Sequence, residues 1–545
     1  MRIVETETGA LIVNGVSLSS KQTEIVKYDG NIIVSASAGT GKTRTMVSKI
    51  VYDLERNKSH KVIAAITFTI KATQEIRERL IIDATHNFIG TNNVFAIDEV
   101  IKPFMKDVYG DDYDIDFDTD YNNKDYLFDT FDEGKNLMQS NGTIYSYCNR
   151  RNCDIHNKNC AATNRNFVFE LALDIAKKSK ACQMYLNAKY FGIYIDEYQD
   201  CDVEMHNFFM FLCEKLKIST FIVGDDKQSI YRWRGARPAQ FVSVTKNSNF
   251  QHFELTENHR SSLGIQNYSN LLFNHTSNLY QQTQKNGDIL VIRKDVDDWA
   301  STVIGLLDST SSTAILRNYK DTCYYGKSNA KDDAQTLTRS GLEFIYIPEA
   351  PIELITTSTA WLYMAVARYI MFDDFTVYDF IHEVPTEGEV EKKAVNSVKK
   401  HLVKVETNKE IKEEFDKAMQ ALLLFFNYTT VDQSHIDKLF ETINDSQYIP
   451  SLSYDLPLHC SMNYHRSKGL EFEQVILFFE DFASFKKVGE SDINNHYVAC
   501  TRAKSKLIIV STFHDDAFAF KSKLQELFSG RKFTELVTIV PNESD

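Results

Sequence analysis

The chain has 545 residues, 43% hydrophobic and 25% charged, and its 61 basic and 75 acidic residues give a net charge of −14. That balance excludes a disordered, collagen-like or low-complexity chain. The longest apolar runs, such as 421–426, fall far short of the roughly 20 residues a membrane-spanning helix needs.

The amino terminus, Met1-Arg2-Ile3-Val4-Glu5-Thr6-Glu7, lacks the basic-then-apolar order of a signal peptide. Nine scattered cysteines suit reduced thiols, so a cytoplasmic protein without membrane contact is expected. In chain order, Asn31–Val34 reads as a strand that ends in a small-residue loop, and Thr43–Leu54 as a helix. Lys61–Ile66 is a second buried strand, followed by a helix through Lys71–Leu80. Strands alternating with helices imply a parallel sheet covered on both faces. The next such strand, Phe191–Ile195, comes only after a stretch rich in Asp, Asn and Tyr that turns helical around Phe167–Lys180. The first core resumes at Thr220–Val223 and ends near residue 254. A second α/β pattern follows, with strands at Thr313–Leu316, Gln474–Phe478 and Lys506–Val510, interrupted by a helical, charged stretch. The expected architecture is α/β: a first core at 1–92 and 180–254 with an insert at 93–179, then a second core at 255–355 and 456–545 with an insert at 356–455.

The strongest local signal is Ala36-Ser37-Ala38-Gly39-Thr40-Gly41-Lys42-Thr43, between a strand and a helix. Small residues let backbone N–H groups converge on phosphates, Lys42 adds a point charge, and the Thr43 hydroxyl suits Mg²⁺. Asp196 and Glu197 follow the strand Phe191–Ile195. In a phosphoryl-transfer site Asp196 would hold Mg²⁺ and Glu197 would activate water. Cys148, Cys153, His156 and Cys160 could close a Cys₃His zinc site, or stand as ordinary thiols in a polar loop without paired C-x₂-C knuckles.

Asp196-Glu197-Tyr198-Gln199-Asp200 and the stretch 224–236 (GDDKQSIYRWRGA) resemble motifs II and III of UvrD/Rep-type superfamily 1 helicases. Further matches keep the family's order: Gln22, Thr67–Ala72, Ile89–Thr91, Asn258–Ser261, His465–Phe472 and Tyr497–Ala503. The resemblance implies two RecA-like cores and ATP hydrolysis with Mg²⁺, held by Thr43 and Asp196. It implies ATP binding by Gln22, Ala38, Gly39, Thr40, Gly41, Lys42, Thr43, Arg44 and Glu471. Catalysis would rest on Lys42, Glu197, Gln228, Arg260 and Arg502, the two arginines reaching the nucleotide only when the cores close. Single-stranded DNA would meet Thr67, Phe68, Thr91, Tyr231, Trp233 and His465, the aromatics stacking on bases whatever their identity.

This chain departs from the family at four motif positions. His259 stands where a stacking tyrosine is usual, Asn463 replaces a threonine, Arg466 a small residue and Ile70 an asparagine. Between the motifs, 87–113, 167–202, 206–241 and 341–353 resemble the helicase subunit of Gabija anti-phage defence systems. That branch implies a hetero-oligomer with a nuclease partner of the overcoming-lysogenisation-defect family.

Overall fold

A computed structural model describes residues 3–6, 9–80, 87–110, 166–232, 235–282, 287–293, 299–318, 329–355, 359–383, 392–428, 431–482, 489–511, 528 and 536–540. A small antiparallel sheet of β1 (Ile3–Glu5), β2 (Leu11–Val13) and β3 (Val16–Ser17) opens the chain. The first large sheet contains β4 (Ile32–Ala36), β5 (Val62–Thr67), β6 (Phe88–Thr91), β7 (Tyr190–Ile195), β8 (Ser219–Gly224) and β9 (Gln251–Leu255). Its order is β6-β5-β7-β8-β4-β9, and every pairing is parallel.

Because successive side chains point to opposite faces, apolar runs feed two cores at once. Ile33, Ala64, Ile66, Ile193 and Ile195 enter one cluster, while Ile32, Val34, Ile63, Ala65 and Val223 enter another. Fully burying a side chain of this kind stabilises by about 1.5–3 kcal/mol, so both faces hold the sheet. The second sheet repeats the device. It comprises β10 (Ile289–Arg293), β11 (Thr313–Arg317), β12 (Ile345–Tyr346), β13 (His459–Asn463), β14 (Phe472–Phe478), β15 (Ala503–Ser511) and β16 (Thr538–Ile539). Its order is β12-β13-β11-β14-β15-β10-β16, again all parallel. Leu316, Leu477 and Ile509 face one side and Ile315, Ile476 and Ile508 the other. The chain is thus α/β with two RecA-like cores.

Both stretches expected as inserts are helical where they are described. Helices Asn92–Ala96, Lys102–Tyr109, Phe167–Lys178 and Lys180–Lys189 share the first core's own cluster through Phe95, Phe169, Ile175 and Leu186. A π-helical turn, Ile97–Ile101, buries Glu99 against Lys189 (2.8 Å) and the Tyr185 hydroxyl (2.8 Å). The second insertion differs in having a core of its own, with Leu362, Val366, Phe380, Leu402, Met419, Leu422 and Leu439 from helices between Ala360 and Ile443. No helix among the described residues is long and apolar enough to cross a membrane. The cysteine–histidine cluster at 148–160 lies outside the described residues, and no group of metal ligands occurs among those described.

Candidate functional site

Strand β4 delivers the chain at Ala36 into a tight loop, and helix Lys42–Arg56 leaves it. Gly39 and Gly41 take φ of +75° and +81°, where a side chain is strained. Space forbids one as well. A Cβ on Gly39 would lie 2.4 Å from Asn258 Oδ1, and one on Gly41 would lie 2.9 Å from Gln22 Nε2. The helix has no side-chain N-cap, so its first amides and positive dipole end face the loop, as anion binding requires. Gln22 closes a capping box with Ser19 and donates to the Thr40 carbonyl (3.3 Å), holding the loop from below. Arg44 is exposed on the first turn of the helix.

Two strands away, β7 ends at Ile195 and places two acids beside the loop. Asp196 is buried and accepts from Thr43 Oγ1 (3.1 Å) and the Glu197 amide (2.8 Å). Burial, and then the neighbouring Glu197, push its carboxyl well above the usual carboxylate range. A buried carboxylate beside a hydroxyl is the hard-oxygen donor set that Mg²⁺ prefers, so these residues fit a phosphate-bound magnesium. Glu197 takes a left-handed backbone, φ +51°, which is strained for a residue with a side chain. Burial alone would raise its carboxyl, but Lys468 (3.0 Å) and Lys42 (3.9 Å) outweigh burial and hold it below its ordinary value.

Lys468 belongs to the second core, as do the arginines. It also pairs with Asp200, whose carboxyl burial raises to about 6. Arg502 is buried, donates to Gln228 Oε1 (3.5 Å) and to its own core's Leu470 carbonyl (3.2 Å), and is pulled down to about 9 by burial and then by Arg260. Gln228 in turn donates to Asp225 Oδ2 (2.8 Å). Arg260 bonds Glu471 (2.8 Å) and the Thr501 carbonyl (3.1 Å). The His259 amide donates to the Gly39 carbonyl (2.9 Å), so this turn lies directly against the phosphate loop. The candidate nucleotide residues therefore converge on one interface. Asp196, Glu197, Gln228, Lys42 and Thr43 come from the first sheet, and Arg260, Glu471 and Arg502 from the second.

The candidate DNA residues are less concentrated. Tyr231 stacks on His465 (5.7 Å between ring centroids, 30° between planes), and Tyr464 packs against the same histidine (4.1 Å). Lys468 lies over the Tyr231 ring (5.2 Å), which joins this aromatic group to the acids. Thr67 is fully buried and spends its hydroxyl on the Thr69 carbonyl (3.0 Å) and Thr73 (2.7 Å). Thr91 caps helix Asn92–Ala96, and Phe68 packs against the first core. Trp233 lies outside the described residues. Lys468 and Tyr497 join the site without having been expected there, although each stands inside a quoted motif; their charge and phenol were the available signals.

A phosphate loop and paired acids on one parallel sheet, met by arginines from a second, define a two-core P-loop protein of the helicase type. Residues 18–160 and 144–249 match the UvrD/REP helicase N-terminal domain, and 459–510 match the UvrD-like helicase C-terminal domain. The chain belongs to the UvrD/Rep helicase family. It is 37% identical over 494 residues to Gabija protein GajB of Bacillus cereus (strain VD045), covering 89% of this chain and 94% of that protein. It is also 26% identical to the ATP-dependent DNA helicase Rep of Salmonella typhimurium, over 46% of this chain and 42% of Rep. The ATP-dependent DNA helicase PcrA of Staphylococcus epidermidis is 26% identical over 49% of this chain and 41% of PcrA. The matched stretch spans less than half of Rep and PcrA.

Proposed function

We propose that this chain is an ATP-driven DNA translocase and helicase that acts on single-stranded DNA or DNA ends, moves 3′ to 5′, and works in an anti-phage defence complex. The partner in this reading is a nuclease of the overcoming-lysogenisation-defect family, and the setting follows from the likeness to a Gabija protein. One observation carries the ATP chemistry: Lys468 and Arg502 of the second core contact Glu197, Asp200 and Gln228 of the first.

In this reading the loop amides and Lys42 bind the β- and γ-phosphates, and Asp196 and Thr43 would hold Mg²⁺, which would supply charge neutralisation there. Glu197 orients the attacking water and takes its proton. A carboxylate held by two lysines is a weak base, so Lys468 must withdraw from Glu197 before hydrolysis. Arg260 and Arg502 stabilise the transferring group only when the cores close, so turnover becomes relative motion of the cores. Tyr231 and His465 meet the bases, and Lys468 links their movement to Glu197.

The test is ATP hydrolysis by the full chain with and without oligo-dT, followed by unwinding of duplexes tailed at either end. Hydrolysis stimulated by the strand, with unwinding of the 3′-tailed duplex, is expected. Stimulated hydrolysis without unwinding would make the chain a DNA-sensing ATPase that controls its nuclease. Absence of hydrolysis overturns both.

A further inference from the structure

One buried polar path at the interface extends the chemistry just described through a residue that has no role in it so far. Tyr497 lies on helix Glu490–Cys500 of the second core, is only 1% exposed, and sends its hydroxyl into the first core. That hydroxyl accepts from the Ala38 amide of the phosphate loop (3.1 Å) and donates to Asp225 Oδ2 (3.3 Å). Asp225 accepts from Gln228 Nε2 on the same oxygen and pairs with Lys227 (2.7 Å), which lies over the Tyr497 ring (5.6 Å). Gln228 meets Arg502, five residues beyond Tyr497 in sequence. The hydroxyl has one proton to give, and Asp225 receives it. The path therefore has a fixed polarity: Ala38 N–H to phenol, phenol to Asp225, with Gln228 donating to the same carboxylate oxygen.

The turn 226–228 runs directly into Tyr231, which stacks on His465. The turn thus joins that aromatic pair to Asp225, and the phenol joins Asp225 to the loop that carries Ala38. In a buried network of this kind breaking one bond strands the next group, so its members are energetically interdependent. We propose that Tyr497 is a positioning residue that relays the state of the DNA-facing loop to the phosphate loop through its hydroxyl. The inference rests on the proposed DNA-stimulated ATP hydrolysis.

The test uses the full chain and reads the stimulation ratio, the ATP turnover number with saturating oligo-dT divided by that without it. Tyr497→Phe removes only the hydroxyl. The ratio should fall about tenfold, the scale of one net hydrogen bond, with the KM for ATP and the half-saturating DNA concentration nearly unchanged. Tyr497→Phe combined with Gln228→Ala should lower the ratio no further than the more severe single variant, because both lie on one path. Asn494→Ala provides the comparison. It removes contacts from the same helix to the Asp226 (3.2 Å) and Ser229 (3.5 Å) carbonyls while leaving every hydrogen bond of the Tyr497 hydroxyl and Asp225 carboxylate in place, and should preserve the ratio.

Several results overturn the relay. They are an unchanged ratio in Tyr497→Phe, equal loss of both rates, multiplicative effects in the double variant, or the same collapse in Asn494→Ala. A Phe variant that does not fold places the phenol in the fold alone and also overturns it. A parent chain that hydrolyses no ATP overturns the proposed function and the relay together, whereas a stimulated parent with an equally stimulated Phe variant overturns the relay only.

Discussion

The two parallel sheets are built alike but neutralise their buried charge differently. In the second core, Arg317 at the end of β11 is closed by its own core. It donates to Asp481 through Nε (2.8 Å), pairs with Asp333, and lies 3.9 Å from the Phe478 ring. In the first core, Glu197 and Asp200 at the end of β7 are met by Lys468 from the opposite core. A charge neutralised within one core is needed whenever that core is folded. A charge neutralised across an interface is needed only while the interface is closed. The same architecture thus separates a charge that stabilises from a charge that can do conditional work.

The largest expected effects come from the nucleotide site and the groups that reach it across the interface. Lys42→Ala should abolish ATP hydrolysis, because the loop loses its lysine for the β- and γ-phosphates, and Glu197→Gln should bind ATP while turning over very slowly. Near-parental turnover in Glu197→Gln would remove it as the base. Arg502→Ala should lower kcat on the order of a thousandfold, as loss of an arginine finger does in other phosphoryl transfers. Its melting temperature should fall less than that of Arg317→Ala, because the groups Arg502 leaves behind are neutral oxygens of Val498, Leu470 and Gln228 rather than buried carboxylates. A large fall in melting temperature would place Arg502 with the structural charges.

Arg317→Ala is the opposite case. It leaves Asp333 and Asp481 buried without their cation, which costs about 3–5 kcal/mol. Urea unfolding should show that loss, with the ATP KM of the remaining folded protein unchanged. A stable variant with slowed hydrolysis would reverse the assignment.

Asp196 gives a smaller, pH-dependent effect. Its folded carboxyl titrates above that of the unfolded chain, so the folded state holds the proton more tightly. Stability from this group is fully present below the unfolded value near 3.9 and is lost as pH rises through the folded one. Each tenfold difference in proton affinity between the folded and unfolded chain is worth about 1.4 kcal/mol. Without divalent cations, the melting temperature should decline from pH 5 toward pH 8. Asp196→Asn should flatten that decline, and an unchanged slope would remove Asp196 as its source.

The sequence displayed the nucleotide side more fully than the DNA side, for a physical reason. A phosphate loop needs Gly39 and Gly41 at positive φ, a lysine and a hydroxyl in fixed order, so local spacing carries it. The strands β5, β7, β8, β14 and β15 were legible because both faces are buried and the apolar run is continuous. By contrast, β13 (His459–Asn463) reads as polar, and only its place between β12 and β11 makes it a strand. Lys468, Tyr497 and the Arg317 triad escaped notice because their partners lie far away in sequence. Thr67 illustrates the converse: it stands in a motif, yet its hydroxyl is used within its own loop.

The smallest expected effect tests whether the division between in-core and cross-interface charge extends to a half-buried pair. Arg466 pairs with Glu353 and donates to the Ser451 carbonyl (2.8 Å), tying the turn after β13 to the base of the second insertion. Glu353 also accepts from the Ala350 amide (2.8 Å), so Glu353→Gln retains an acceptor there and removes only the charge. The side chains of Arg466 and Glu353 are 22% and 20% exposed, so water screens their attraction. The loss should be about 0.5–1 kcal/mol, and half of it or more should vanish in 1 M salt, where screening acts over about 3 Å. Because both partners belong to the second core's side of the interface, DNA stimulation of ATP hydrolysis should be unaffected. A severalfold change in that stimulation, with stability unaltered, would show that a charge closed within one side can govern the interface, and the distinction drawn from Arg317 and Glu197 would fail.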